Sequence, residues 1–167
     1  MSGGAGNDTY YVQSAYDVVN EAVNEGVDTI IFDGEITNST GLVILQDNIE
    51  NAVLLNVTVD LFTTIGNSSN NTITGSAMID YIISGGGDDV LNGGDGDDQL
   101  GAMKLNSNSE AVLAVGNAHL NGGNGNDFLI GGIGNNYFDG GAGIDEVSYL
   151  YAGAGVQVNL STGAGTT

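Results

Sequence analysis

The sequence predicts an all-β chain: a right-handed parallel β-roll, or β-helix solenoid, with 18-residue coils, preceded by irregular β coils. Three observations carry this reading. A nine-residue unit recurs in register, each copy in the array ends around one large apolar residue, and glycine is frequent at 29 residues while proline is absent. Recurrence at a fixed offset marks an architecture of stacked units, each burying its apolar side only against its neighbours.

Residues 1–65 hold one isolated copy, GGAGNDTYY from Gly3, and then an irregular β-solenoid spacer. Asn51 to Leu61 alternates, so Val53, Leu55, Val57, Val59 and Leu61 are expected on one half-buried face. The stretch DVVNEAVNEG from Asp17 admits a short helix, because Val18, Val19, Ala22 and Val23 fit a helical stripe. Irregular strand-and-turn coils are preferred, since the neighbouring runs Thr29 to Phe32 and Leu42 to Leu45 are β-branched or apolar.

Residues 66–148 form the array. In register it reads GNSSNNTIT from Gly66, GSAMIDYII from Gly75, SGGGDDVLN from Ser84 and GGDGDDQLG from Gly93. It resumes as GGNGNDFLI from Gly122, GGIGNNYFD from Gly131 and GGAGIDEVS from Gly140. LAVGNAHLN from Leu113 keeps the phase through Gly116 and Leu120 but has Ala118 where an acid is expected, which leaves residues 102–112 as an insertion. The apolar series is Ile73, Ile82, Leu91, Leu100, Leu120, Leu129, Phe138 and Val147, all core-type side chains.

Each copy has two halves. Glycines in the first six positions allow positive φ and close backbone approach, and the last three positions suit a short strand. Two such units make one coil, and strands of successive coils stack at roughly 4.8 Å. Residues 149–167 are expected to close the roll as a capping strand, with Val156, Val158 and Leu160 alternating.

Composition narrows the function. Acidic residues number 21 against one basic residue, Lys104, for a net charge of −20. Repulsion at that level opposes a compact state unless cations neutralise it. Nucleic acid needs clustered Lys or Arg to displace counterions, and anionic membranes need the same, so neither is an expected partner. With no cysteine there are no disulfides, zinc ribbons or thiol nucleophiles. No apolar run approaches a membrane span, and the opening MSGGAGND is not a secretory leader.

Position six carries the chemistry: Asp8, Asp80, Asp89, Asp98, Asp127 and Asp145, with Asn71 and Asn136 as weaker versions. Calcium takes six to eight oxygens, and a glycine-rich turn can offer backbone carbonyls beside one carboxylate. Glu21, Glu25, Asp28 and Asp47 are expected to be solvated surface. His119, the one histidine, reads as an exposed strand residue, since no dyad or zinc site assembles around it. Tyr10, Tyr11, Tyr137, Tyr149 and Tyr151 are expected to cover sheet faces or ends. No acid–base constellation stands apart from the repeats, so the chain is not expected to be an enzyme.

These residues match GGxGxDxUx, and the chain resembles the repeats-in-toxin (RTX), or hemolysin-type calcium-binding, family, whose nonapeptide is a known calcium-binding β-helix repeat. The resemblance is closest over 66–101 and 122–148 and extends to 3–11; the segments DVVNEAVNEGVDTI and DNIENAVLL resemble spacers between RTX blocks. It implies several Ca²⁺ ions lying between turns two repeats apart, held by loop carbonyls and position-six aspartates. The implied ligands are Asp8, Gly75, Ala77, Asp80, Gly85, Gly87, Asp89, Gly93, Asp95, Asp98, Gly122, Asn124, Asp127, Gly140, Ala142 and Asp145.

If the insertion bulges out without changing phase, Asp80, Asp98, Asp127 and Asp145 line one edge and Asn71, Asp89, Ala118 and Asn136 the other. The first edge should then hold calcium well, between Asp80 and Asp98 and between Asp127 and Asp145, and the second weakly or not at all.

The resemblance further implies a structural module of a secreted bacterial protein, extracellular or at the cell surface, exported by a type I route and folding on Ca²⁺ outside. The chain begins inside a repeat and ends at GAGTT without the family's secretion signal, as expected of a fragment of a larger secreted polypeptide. An adhesin, surface-layer or filament component using the roll as a spacer or self-associating unit is the alternative; sedimentation with and without calcium separates the two. An ice-binding roll would want a row of Thr and Asn at position three, and Ala5, Ser68, Ala77, Gly86, Asp95, Asn124, Ile133 and Ala142 form none.

Overall fold

The computed structural model describes residues 1–14, 17–34, 41–58 and 60–150, and the backbone of the strand Gln157–Asn159. Among these residues there are strands and no helix. One parallel sheet stacks β1 (Thr9–Val12), β2 (Thr29–Asp33), β4 (Asn51–Leu55), β6 (Thr72–Thr74), β8 (Asp89–Asp95), β12 (Ala118–Asn124), β14 (Tyr137–Ala142) and β16 (Gln157–Asn159) in that order. The facing sheet stacks β3 (Leu42–Ile44), β5 (Phe62–Ile65), β7 (Asp80–Ile83), β9 (Gln99–Gly101), β13 (Phe128–Ile130) and β15 (Glu146–Ser148). From β2 onward the chain passes alternately between these two sheets, and it forms the expected parallel solenoid.

Register follows from the apolar residue of each repeat. Ile73 pairs with Leu91, Ile82 with Leu100, Leu120 with Phe138 and Leu129 with Val147, each one 18-residue coil apart. Seven of the eight series members are fully buried at 0% exposure, and half-buried Val147 packs against them. A slip of one residue would turn every one of these side chains outward, so the pattern pins the stacking. Leu100→Ala is expected to lower unfolding stability by about 2–5 kcal/mol in the calcium-loaded protein, read from the denaturant midpoint.

The insertion leaves the phase intact. Leu91 pairs with Leu120 and Leu100 with Leu129 across a separation of 29 residues, eleven more than one coil. The excess is an antiparallel hairpin of β10 (Met103–Leu105) and β11 (Ala111–Leu113). At its root the Ala102 amide donates to the Ile130 carbonyl at 2.8 Å, and the Ala114 amide donates to the Ala102 carbonyl at 3.1 Å. Met103 and Leu105 pack with Ile65, Tyr81, Ile83 and Ile130 in a second apolar cluster. Those residues alternate with inward-facing ones, so the hairpin covers the outer face of the smaller sheet.

In the spacer the coils lengthen to 20, 22 and 21 residues. Residues 17–28 form an irregular turn-containing coil and no helix, with Val19 buried. The expected single face over Asn51 to Leu61 is corrected. In β4 it is Ala52 and Leu54 that face the core, while Leu55 is 43% exposed. Asn56, at φ 55°, then turns the chain and breaks the alternation, so Val57 is buried and Leu61 exposed. Val59 lies outside the described residues, as do Tyr151, Val156 and Leu160 of the expected cap; the backbone of Val158 pairs with Phe138.

Candidate metal centre

Glycine lets adjacent coils meet through backbone alone. Gly94 and Gly96, at positions two and four, both have φ +117°. A Cβ on Gly96 would stand 2.6 Å from the Met78 carbonyl oxygen of the coil before, and one on Gly94 would collide with the Ser76 carbonyl. The turns therefore stack their carbonyl groups in columns.

At position one the absent Cβ makes a cradle. A side chain on Gly93 would strike Asp98 Oδ2 and the Gly122 carbonyl oxygen, and one on Gly122 would strike Asp127 Oδ2 and the Gly140 carbonyl oxygen. Gly75 stands likewise against Asp80 Oδ2 and the Gly93 carbonyl oxygen, and Gly140 against Asp145 Oδ2. Each position-six carboxylate is thus folded over its own turn.

Hydrogen bonds tie these carboxylates into a ladder. The Asp80 amide donates to Asp98 Oδ1 at 2.8 Å, the Asp98 amide to Asp127 Oδ1 at 2.8 Å, and the Asp127 amide to Asp145 Oδ1 at 3.0 Å. Asp80, Asp98, Asp127 and Asp145 therefore lie along one edge, where phase-keeping by the insertion places them. Asp80 Oδ1, Asp98 Oδ2 and Asp127 Oδ2 are buried and have no hydrogen-bond partner among the described residues. An ionised oxygen removed from water without a partner is strongly unfavourable, so this edge calls for cations.

The opposite edge holds Asn71, Asp89, Ala118 and Asn136. There Asp89 Oδ1 accepts the Asn71 amide at 2.8 Å, and Asn136 Oδ1 accepts the Ala118 amide at 3.1 Å. Ala118 offers no oxygen, and the Asp89 amide turns to the Asn117 carbonyl at 3.0 Å. Asp89 Oδ2 is the one orphaned carboxylate oxygen among these four residues. Gly85 and Gly87 sit in this edge's turn above Asp89, with φ +91° and +102°.

Position three lies outside both ladders. Ala77, Asp95, Asn124 and Ala142 are exposed, and Asp95 Oδ1 accepts the Asn124 side-chain amide at 2.7 Å, so they could serve a cation through backbone carbonyls.

Burial pushes the Asp98 carboxyl up to about 7, helped by the nearby charges of Asp80, Asp127 and Asp97. Burial also raises Asp89 and Asp127 to about 6, and raises Asp80 against the bonds from Ser76. A raised carboxyl binds more protons folded than unfolded between those two pKa values. In the metal-free chain the stability that Asp89, Asp98 and Asp127 hold is fully present below about pH 4 and lost as pH rises through 6 to 7. A metal-free sample is expected to be more folded near pH 5 than near pH 8, and calcium binding near pH 6.5 to release protons, seen as calorimetric heats that vary with buffer ionisation enthalpy.

Two acids expected at the surface are buried, and the sequence reading is corrected there. Asp28 is 1% exposed; its Oδ1 accepts the Asp8 amide at 2.9 Å and its own amide donates to Glu50 Oε2 at 2.8 Å. Asp8, Asp28 and Glu50 therefore extend the second edge toward the N terminus. Glu21 is 9% exposed and accepts from Gly3 and Tyr10, whereas Asp47 is exposed and Glu25 half-buried. The signal was present: Asp28-Thr-Ile, behind Gly26 at position four, and Glu50-Asn-Ala, with no glycine before it, keep the acid-x-apolar half of the repeat.

His119 is exposed in β12 and its ring lies 5.2 Å from that of Tyr137. Tyr10 is buried, while Tyr11 and Tyr149 are exposed.

Among the described residues no three His, Cys, Asp or Glu side chains converge on one point. The donors are distributed instead: one carboxylate per turn, with carbonyl columns around it, all hard oxygens. That set fits Ca²⁺ and offers nothing to a soft metal. No helix among the described residues is long and apolar enough to cross a membrane.

A family model of the RTX calcium-binding nonapeptide repeat, with four copies, matches residues 1–19, 65–100 and 115–147. No curated protein and no solved structure matches the chain.

Proposed function

Because this chain belongs to the RTX calcium-binding nonapeptide repeat family and carries a calcium-binding repeat module, we propose that it is a structural part of a secreted bacterial protein that folds on Ca²⁺ after export. The buried aspartate ladder with its orphaned oxygens at Asp80, Asp98 and Asp127 is the observation that carries this reading. In low cytoplasmic calcium, charge repulsion along that edge keeps the chain expanded and fit for a type I route. Outside the cell, calcium reaches the loop carbonyls and position-six carboxylates and supplies folding free energy.

The ions belong between Asp80 and Asp98 and between Asp127 and Asp145, with the Asn71–Asp89–Ala118–Asn136 edge holding calcium weakly. The chain does no chemistry of its own in this reading; it works outside the cell or at its surface as a calcium-set scaffold.

Calorimetric titration tests it. Several Ca²⁺ ions should bind per chain, and Mg²⁺ at matched concentration should bind far more weakly, because stacked carbonyls suit a larger, flexible coordination shell. No calcium uptake would overturn the reading.

A further inference from the structure

We propose that Asp8 and Glu21, with the Tyr10 hydroxyl, form a divalent-cation site that closes the N-terminal end of the solenoid. The inference rests on calcium binding by the repeats but concerns a site of different build, half of it supplied by the spacer.

The first turn repeats the cradle of the array. A Cβ on Gly3 would collide with the Asp8 carboxylate and stand 2.5 Å from the Tyr10 hydroxyl. What differs is the group supplied by the coil ahead. In the array, position-one amides donate to backbone carbonyls, as Gly75 does to Asn92 at 2.8 Å and Gly131 to Ser148 at 2.9 Å. The Gly3 amide donates instead to a side chain, Glu21 Oε1, at 3.0 Å and 18 residues along the chain. The Tyr10 hydroxyl donates to the same oxygen. A charged carboxylate thus stands where the array uses a neutral carbonyl.

Both carboxylates have an oxygen left over. Asp8 Oδ2 and Glu21 Oε2 are out of water and have no hydrogen-bond partner among the described residues, and Glu21 as a whole is 9% exposed. No base answers them: the Met1 ammonium bonds the Val18 carbonyl at 2.5 Å, and Lys104 lies on the hairpin of the array. Two carboxylates around one glycine, each with a buried free oxygen, need a cation, and oxygen donors alone select a hard one. Among the described residues strand β1 has a neighbour on one side only, β2. A cation here would tie residues 17–28 beneath the first turn and secure that end.

The full chain carries the test. Calcium calorimetry should give Glu21→Gln one ion fewer than the parent chain, with the remaining ions unchanged. Terbium replacing calcium should show tyrosine-sensitised emission that drops in Tyr10→Phe, since that ring is at the site. An unchanged ion count and affinity in Glu21→Gln would overturn the site while leaving repeat binding intact, whereas a parent chain that takes up no calcium would overturn both. Should Glu21→Gln fail to fold in calcium, the terbium arm decides: emission undiminished in Tyr10→Phe overturns the proposal.

Discussion

Stripping calcium with a chelator is expected to abolish most of the β-sheet signal in circular dichroism, and returning calcium to restore it. The charge of −20 is spread over a chain with one basic side chain, so nothing internal neutralises the acid edge. Folding without metal would bury Asp80, Asp89, Asp98 and Asp127 with an oxygen each unpaired, or force them to take up protons. Each ion present at a hundred times its dissociation constant adds about 2.7 kcal/mol. Three such ions would add about 8 kcal/mol, comparable with the roughly 5–15 kcal/mol of a whole domain. Losing them removes the margin. A chain with an intact β spectrum in chelator at neutral pH would reject the coupling.

Asp98→Asn should have opposite effects in the two states, the second large expectation. Asp98 is at the middle of the ladder, accepting from the Asp80 amide and donating to Asp127 Oδ1. An asparagine keeps the acceptor and the shape but removes the charge. In calcium the variant should bind at least about tenfold more weakly at the adjoining site, about 1.4 kcal/mol, and unfold at lower denaturant. Without calcium it should be more folded than the parent chain near neutral pH, because the buried carboxyl pushed up to about 7 is gone. Asp89→Asn should share the metal-free gain but lose less in calcium, since its neighbours Asn71 and Ala118 bring no second carboxylate. A purely structural role for Asp98 would lower stability in both states.

The array was legible because its two signals are periodic and mutually consistent. One large apolar residue in nine placed Ile73 to Val147 in the core, and counting past the insertion placed Leu91 on Leu120 and Asp98 beside Asp127. The spacer was less legible because its coils run 20 to 22 residues and keep few of the array's glycines. Asp28 and Glu50 kept the role of position six after losing most of the motif, and the alternation that starts at Asn51 ended early because Asn56 takes positive φ. The hairpin's cover over Ile65, Ile83 and Ile130 depends on a side excursion that no repeat period encodes.

The central claim is that cations neutralise the acid edge, and locating them tests it most directly. Anomalous scattering from crystals grown in calcium should place ions beside Asp80, Asp98, Asp127 and Asp145, with weak or absent signal along Asn71, Asp89, Ala118 and Asn136. Equal occupancy of the two edges, or no ion beside Asp98, would contradict the account.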